Sequence, residues 1–155
     1  MKIEFKRLVE VNRRDIISLM NNNQVRRHMP LLTSEFSEGK CESFIKAKEE
    51  HWREFGFGLY AFEIGNRFVG WGGLQRENDD IDLALVLHPD HWGIGKILYK
   101  RFIQIAFVEM ELMSITILLP KTRIRIQGLK RLGFEDDGEI ELGQNKFMRF
   151  RLKKV

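Results

Sequence analysis

Residues 80–98 of this chain are DIDLALVLHPDHWGIGKIL, an apolar run followed by two closely spaced glycines. The apolar run predicts a strand near the centre of a sheet, and the residues after Gly95 have helical periodicity. The first amides of a helix lack partners and favour an anion. Glycine lets the backbone approach such an anion and adopt dihedrals that other residues avoid. We therefore expect a strand-to-helix turn that binds a phosphate-like group.

Two familiar phosphate-binding patterns do not fit this turn. A P-loop would need glycine at Asp90 and a hydroxyl residue at Ile97. A dinucleotide-binding fingerprint would need a third glycine at Leu98. A tight turn without any ligand is the plainer alternative.

The composition predicts one domain, spanning 1–155. A chain of 155 residues can bury its own core, and 43% hydrophobic with 31% charged residues is ordinary for a globular protein. No apolar run reaches the roughly 20 residues that span a bilayer, and residues 1–11 alternate charged and apolar side chains, unlike a signal peptide. The single cysteine, Cys41, is predicted to be a buried structural thiol. A lone cysteine is typical of a protein from a reducing compartment. We expect a cytoplasmic protein without membrane contact.

The basic excess does not form a nucleic-acid patch in the sequence. The net charge is +4, but the 26 basic residues are interleaved with 22 acidic ones. Scattered charge of this kind favours solvation or a small anionic ligand. Nucleic-acid binding is therefore not expected as the main role.

The periodicity predicts a mixed α+β fold: a mostly antiparallel sheet of about seven strands with about four helices, in the order β-α-α-β-β-β-α-β-α-β-β. A strand is expected over 2–11, and helices over 12–22, with Asn12 as N-cap, and over 37–55, with Ser34 or Ser37 as N-cap. Segment 21–30 is a polar break with at most a short helical turn. The pair Gly65-Asn66 indicates a hairpin.

The second half of the chain contains the predicted crossover, 80–119. The helix after the glycines should bury one face, comprising Ile94, Ile97, Leu98, Phe102, Ile105 and Val108. A strand at 114–119, a helix ending at Gly133 and a final hairpin around Gly143 complete the pattern. An exposed final strand could pair in a dimer, so both monomer and homodimer are considered.

The stretch around the glycines resembles motif A of the GNAT N-acetyltransferases, whose hallmark is [Q/R]-x-x-G-x-[G/A]. Gly93 and Gly95 match the small positions, while Asp90 stands where Gln or Arg is usual. The form P-x-x-W-G-x-G is similar to the RimJ/RimL-like branch, which acetylates ribosomal-protein N-termini among other amines. Segments 67–74, 128–134 and 21–30 also resemble that branch, so the likeness covers nearly the whole chain.

The resemblance implies a GNAT fold and an acetyl-CoA co-substrate whose acetyl group passes directly to a primary amine. Main-chain groups of three strand residues would hold the pantetheine arm and thioester, and the amides of the glycine turn would hold the pyrophosphate. The strand residues are Leu85, Val86 and Leu87, and the turn residues are His91, Trp92, Gly93, Ile94, Gly95 and Lys96. Thr122 and Arg125 stand where the branch has N-x-x-S, so they are candidate CoA contacts that depart from the family type.

The resemblance also implies a catalytic acid-base pair, of which one member is evident. Asp82 stands where many family members carry an acidic residue, and it is the candidate base, acting through water. Asp80 is the neighbour to consider if the register slips, and a solvated strand-end acid is the alternative. The usual tyrosine position holds Leu129, so no general acid is evident; Tyr60 is a weak candidate.

Four residues are candidates for the acceptor side: Arg26, His28, Met29 and Trp71. Trp71 is flanked by three glycines, which could leave room for a substrate close to the backbone. The alternative is that Trp71 packs in the core without contacting a substrate. The acceptor itself is not identified by any motif.

Other chemistries lack their signatures. The grouping of His88, Asp90 and His91 is not a zinc pattern, so no metal is expected, and no G-x-S-x-G elbow is present.

The second functional hypothesis is a GNAT-fold protein that binds acyl-CoA as a sensor or interaction module without efficient transfer.

Overall fold

The computed structural model describes residues 2–123 and 126–155, which form a seven-stranded sheet with five helices. The strands are β1 (Glu4–Lys6), β2 (Leu59–Ile64), β3 (Arg67–Glu77), β4 (Asp80–Leu87), β5 (Ser114–Pro120), β6 (Glu135–Leu142) and β7 (Asn145–Lys153). The helices are α1 (Arg13–Asn21), α2 (Asn23–Arg26), α3 (Glu38–Phe55), α4 (Gly95–Gln104) and α5 (Gln127–Arg131).

The strand order is β1-β2-β3-β4-β5-β7-β6. All neighbours are antiparallel except β4 and β5, which are parallel and joined by the crossover through α4. The predicted mixed α+β fold and its largely antiparallel sheet are confirmed. The described residues contain five helices rather than about four, because Asn22 caps a single turn in the polar break and makes it α2.

Several local predictions are confirmed by capping and turn geometry. Asn12 accepts a hydrogen bond from the Arg14 amide and starts α1, and Ser37 accepts one from the Lys40 amide and starts α3. At the β2–β3 hairpin, Gly65 and Asn66 have φ of 57° and 64°. Two positive φ values match the strand twist of a tight hairpin.

The sheet separates two apolar layers. One layer packs α4 on the sheet through residues such as Leu98 and Phe102, and the other packs α1 and α3 through residues such as Ile16 and Cys41. Cys41 is fully buried, as predicted. The strongly apolar β4 lies at the middle of the sheet because both its faces are covered.

Three structural expectations were wrong. The first strand covers only Glu4–Lys6, because the Glu10 carboxylate accepts from the Arg7 amide and holds 8–10 in a 3-10 turn. The helix face after the glycines is not continuous. Ile97, beside the buried Leu98 in α4, is 53% exposed. Val108 is 68% exposed because it lies in a π-helical turn, 105–109, which changes the rotation per residue. The final strand β7 is not an edge, since it lies between β5 and β6.

Among the described residues, no helix is both long enough and apolar enough to cross a membrane.

Candidate functional site

A cleft opens where β4 and β5 separate. The two parallel strands pair only at Asp82 and Thr116. Beyond this pair they diverge, and the space between them is a cavity of about 850 Å³ lined by both strands. A single pairing followed by divergence leaves main-chain groups of both strands facing a gap, which is where an extended ligand could bind.

The cleft passes through the sheet from one apolar layer to the other. Leu83 and Leu87 belong to the layer packed by α4, and both line the cleft. Trp71 and Val86 belong to the layer packed by α1 and α3, and they line it too. A molecule in the cleft can therefore meet a second molecule that enters from the opposite face.

The main-chain groups of β4 alternate between its two neighbours. The His88 amide donates to the Val69 carbonyl of β3 at 2.9 Å, and the β3–β4 register is continuous from there. Because pairing in an antiparallel ladder alternates along the strand, Val86 also directs its amide and carbonyl to β3, whereas Leu85 directs them to the side of β5. The pairing of β4 with β5 has ended by then, so the Leu85 groups face the cleft.

This alternation changes the expectation for two of the three strand residues. Val86 uses its main-chain groups in the sheet and contributes only its side chain to the cleft. The Leu87 carbonyl accepts the Trp92 Nε1–H at 3.0 Å. Leu85 is the residue of the three whose amide and carbonyl remain for a ligand.

The glycine turn lies at the α4 end of the cleft. A 3-10 turn, Pro89–Ile94, leads into α4, which begins at Gly95. Trp92 and Gly95 line the cleft, Lys96 is exposed beside them, and the Ile94 side chain is buried in the core. His91 is partly buried.

The two glycines are not needed for unusual dihedrals. Neither Gly93 nor Gly95 has positive φ, which corrects that part of the prediction. A Cβ on Gly93 would meet no atom within 4 Å, and one on Gly95 would come no closer than 3.8 Å to Leu87. The fold itself therefore does not demand glycine at Gly93, and the open space above it suits a group that touches the backbone from outside.

Asp82 lies at the point where the strands begin to diverge. It is 5% exposed, and the Thr116 hydroxyl donates to its Oδ1 at 3.0 Å. Burial raises the pKa of Asp82 to about 8; the Thr116 hydrogen bond opposes this, and the charges of Glu77 and Asp80 add to it. Asp82 is not itself among the residues that line the cavity, so contact with a substrate there would need a bridging water.

Asp80 is not an alternative to Asp82. Its carboxylate accepts two hydrogen bonds from Arg151, at 2.9 and 3.2 Å. Arg151 also donates to Ser114 and Asp137. This network ties β4, β5, β6 and β7 together, and it gives Asp80 a structural partner.

The two tyrosines have opposite placements. Tyr60 packs among Phe5, Trp52 and Phe102 and does not line the cleft. Tyr99, one turn after Gly95 on α4, does line it.

Tyr99 is the candidate that sequence analysis missed. Burial raises its pKa, while the charges of Arg123 and Asp82 act on it in opposite directions. Its hydroxyl has no hydrogen-bond partner among the described residues. The spacing of four between Gly95 and Tyr99, which puts both on one helix face, is the sequence signal that could have identified it. Leu129, at the family's usual tyrosine position, is buried in the core.

On the acceptor side, Trp71 and Met29 line the cleft, but Arg26 does not. The Arg26 guanidinium donates to the Asn21 side chain and to the Leu32 and Ser34 carbonyls. Arg26 therefore holds the segment after α2 in place, and most of its N–H donors are not available to a substrate.

The three glycines beside Trp71 accommodate neighbouring strands. A Cβ on Gly72 would collide with the Ala84 carbonyl oxygen of β4, and one on Gly73 would come within 2.7 Å of the Gly58 carbonyl oxygen. The space that the sequence suggested for a ligand is filled by β-sheet backbone. Trp71 itself is 6% exposed, and its Nε1–H donates to Met20 Sδ at 3.4 Å.

A contact between His28 and Thr122 joins two loops at the cleft. The His28 Nδ1 lies 3.0 Å from the Thr122 hydroxyl, which also donates to the Arg27 carbonyl. Burial, followed by the charges of Arg123 and Arg27, lowers the pKa of His28. Thr122 thus lines the cleft with its hydroxyl already engaged. The other predicted contact in this loop, Arg125, lies outside the described residues.

Within 2–123 and 126–155, no group of three or more His, Cys, Asp or Glu side chains is arranged to hold a metal ion.

Sequence comparison gives the family directly. A family model described as "Acetyltransferase (GNAT) domain" matches residues 3–135. The chain therefore belongs to the GNAT acetyltransferase family. No curated protein matches the sequence.

Solved structures share the fold at low sequence identity. An acetyltransferase from Agrobacterium tumefaciens is 14% identical with a TM-score of 0.78, covering 98% of this chain and 91% of that one. Spermidine N-acetyltransferase from Vibrio cholerae, in complex with CoA and spermine, is 15% identical with a TM-score of 0.74, covering 97% and 95%. The N-acetyltransferase PseH from Campylobacter jejuni, in complex with acetyl coenzyme A, is 15% identical with a TM-score of 0.66, covering 99% and 100%.

Proposed function

We propose that this protein is an acetyl-CoA-dependent N-acetyltransferase. It transfers an acetyl group to a primary amine within a ternary complex, as a single domain over 1–155 in the cytoplasm. We assign it to the RimJ/RimL-like branch on its P-x-x-W-G-x-G turn. The observation that carries the proposal is the cleft itself, which crosses the sheet between a glycine turn and an apolar pocket.

The donor is proposed to lie along β4 with its pyrophosphate at the glycine turn. The open space above Gly93 and the α4 N-terminus suit an anion, and the exposed Lys96 adds positive charge. The Leu85 carbonyl would accept a hydrogen bond from an amide of the pantetheine arm, as a neighbouring strand would. The complexes of the Vibrio and Campylobacter proteins with CoA and acetyl-CoA are consistent with this use of the fold.

The chemistry needs a neutral amine, a stabilised oxyanion and a protonated leaving group. The amine nitrogen bonds to the thioester carbonyl carbon, the carbon–sulfur bond breaks, and the amine gives up a proton. Asp82, when ionised, would accept that proton through a water. The Leu85 amide would donate to the oxyanion. Tyr99 would donate a proton to the leaving thiolate and recover it from solvent.

Acetyl-CoA titration of the purified protein tests the donor site. Saturable one-to-one binding should raise the melting temperature by mass action. Gly93→Val should keep the fold, because space is open there, and weaken binding at least about tenfold by blocking the backbone. Gly39→Ala, in α3 away from the cleft, is the matched control and should bind normally. Absence of binding by the wild type at millimolar acetyl-CoA would refute the proposal.

A second candidate function is acyl-CoA binding without efficient transfer. It is favoured by Leu129 at the usual tyrosine position and by the burial of Asp82. Release of CoA thiol in the presence of an amine panel distinguishes the two functions. Amine-dependent release supports transfer, and tight acetyl-CoA binding with no release for any amine supports the sensor.

A further inference from the structure

The acceptor half of the cleft is mainly apolar. The part facing α1, α2 and α3 is lined mainly by apolar side chains, among them Met20, Val25, Met29, Phe36, Phe44 and Trp71, and it includes one histidine, His28, whose Nδ1 contacts the Thr122 hydroxyl. Among the described residues that line the whole cleft, none is Asp or Glu. Such a surface stabilises an apolar body and offers no counter-ion to a buried ammonium group.

Several polar groups near this pocket are paired within the protein. Asn21 exchanges two hydrogen bonds with the Phe36 main chain, at 2.9 and 3.0 Å. The Leu32 and Ser34 carbonyls accept from Arg26. The Trp71 indole donates to a methionine sulfur. The Asn21, Leu32 and Ser34 oxygens each already accept a hydrogen bond, so they would serve a second ammonium group less well than a free carboxylate.

The charges that do border the cleft are positive. Arg123 lines it, and Arg27 is adjacent in the chain to His28, which lines it too, so both charges would repel another cation there. A polyamine would thus lose hydration without gaining a partner and would meet repulsion at the rim.

We propose that the acceptor is a primary monoamine on an apolar, aliphatic or aromatic body, and not a polyamine or another polycation. This inference rests on the proposed transferase function and specifies its substrate class. The cavity of about 850 Å³ must hold the pantetheine arm as well, which favours a small acceptor. Spermidine, named for the Vibrio enzyme of similar fold, is expected to be a poor substrate here.

A matched pair of amines tests the proposal. Hexylamine and 1,6-diaminohexane have the same carbon chain and differ in that the far methyl group carries a second ammonium. We expect kcat/KM for hexylamine to exceed that for the diamine by at least about tenfold; 2-phenylethylamine should behave as hexylamine does. Equal or greater activity with the diamine or with spermidine would overturn the inference and leave the transferase function standing.

A variant that supplies the missing acid sharpens the test. Met29→Glu places a carboxylate on a partly buried position of the pocket and should shift the diamine-to-monoamine ratio of kcat/KM upward by at least about tenfold. Val108→Glu adds the same charge at an exposed position away from the cleft and should leave the ratio unchanged. An unchanged ratio in a folded Met29→Glu protein that binds acetyl-CoA normally would count against the assignment of this pocket.

Binding measurements distinguish a failure of the transferase function from a failure of the proposed acceptor class. Calorimetry with hexylamine and 1,6-diaminohexane on the CoA-loaded protein repeats the comparison without turnover, and the monoamine should bind at least about tenfold tighter. If the monoamine binds tighter but no amine is acetylated, the transferase function fails and the pocket assignment stands. If the diamine binds as tightly, the substrate class is wrong whatever the turnover.

Discussion

The Thr116 hydroxyl donates a 3.0 Å hydrogen bond to the Asp82 carboxylate at the single point where β4 and β5 pair. The strands diverge immediately beyond this contact, so the buried carboxyl lies at the apex of the cleft. Burial raises its pKa and the hydroxyl opposes that rise. The same pair of residues therefore joins the two strands and favours the ionised form of the candidate base.

Asp82→Asn should stabilise the protein increasingly as the pH rises. The pKa is about 8 in the folded chain against 3.8 for the free side chain, so the folded state binds more protons between these values. The contribution of Asp82 to stability is therefore greatest below pH 4 and falls as pH rises towards 8 and just above. Asparagine does not titrate. Between pH 5 and 9, the melting temperature of the variant should gain at least about 3 °C on the wild type; a pH-independent difference would contradict the assigned pKa.

The same substitution should remove a step from the pH profile of transfer. If Asp82 is the base, wild-type kcat rises as the carboxyl ionises near pH 8, and the ratio of wild-type to variant kcat rises with it. The ratio cancels the titration of the amine itself, which is common to both proteins. Acetyl-CoA affinity should change less than about twofold, since the donor contacts lie elsewhere. A constant ratio across pH 6–10 would assign the proton to another group.

Thr116→Val should raise the pKa of Asp82 further. A hydrogen bond to an ionised group contributes about 1.5–3 kcal/mol, which corresponds to about one to two pH units in the midpoint. The midpoint of the kcat profile measures this shift. Thr116→Ser keeps the hydroxyl and should keep the midpoint near that of the wild type; a wild-type midpoint in the valine variant would show that the contact does not control the charge.

Tyr99→Phe should lower kcat at least about a hundredfold, the lower end of what a general acid contributes. The loss is confined to turnover because the ring still packs on the cleft wall, so the Kd for acetyl-CoA should stay within about twofold. Tyr60→Phe is the matched control, because Tyr60 lies in an aromatic cluster outside the cleft. If both variants lose activity equally, the proton donor is not Tyr99.

Gly72→Ala should destabilise the fold by about 1–3 kcal/mol, the usual cost of overpacking. The added Cβ would collide with the Ala84 carbonyl oxygen, which belongs to the neighbouring strand and cannot move aside. Urea unfolding measures the loss. Gly39→Ala, whose Cβ would have no atom closer than 3.9 Å in α3, should be neutral or slightly stabilising. Wild-type stability for Gly72→Ala would contradict the β3–β4 approach described here.

The fold was predictable to a large extent because its signals are local. The caps Asn12 and Ser37 and the Gly65-Asn66 turn act over a few residues, and the structure has all of them. Val108 was wrongly predicted to be buried, because a π-helical turn changes the residue spacing on which the prediction depended, whereas Ile97 lies at the edge of the apolar face, one residue from the buried Leu98.

The site was less predictable because it depends on which residues the chain brings together. Sequence pattern correctly separates the glycine turn from the P-loop, but it favoured Tyr60, which the sheet places outside the cleft, over Tyr99, which α4 directs into it. It also offered Arg26 as a substrate contact, whereas loop carbonyls occupy that guanidinium. Such pairings join residues distant in sequence and leave no local pattern.

The sequence alone determined the fold class, the order of its elements and the family, because periodicity, caps and a glycine turn are properties of short segments. The tertiary structure decided which groups remain unpaired. β4 and β5 separate after one pairing, which leaves the main-chain groups of Leu85 facing the cleft and opens an apolar passage through the sheet. Asp82 stays buried at the last paired position. The physical reason is that the availability of each group depends on hydrogen bonds and burial between residues distant in sequence, and only the assembled fold determines these.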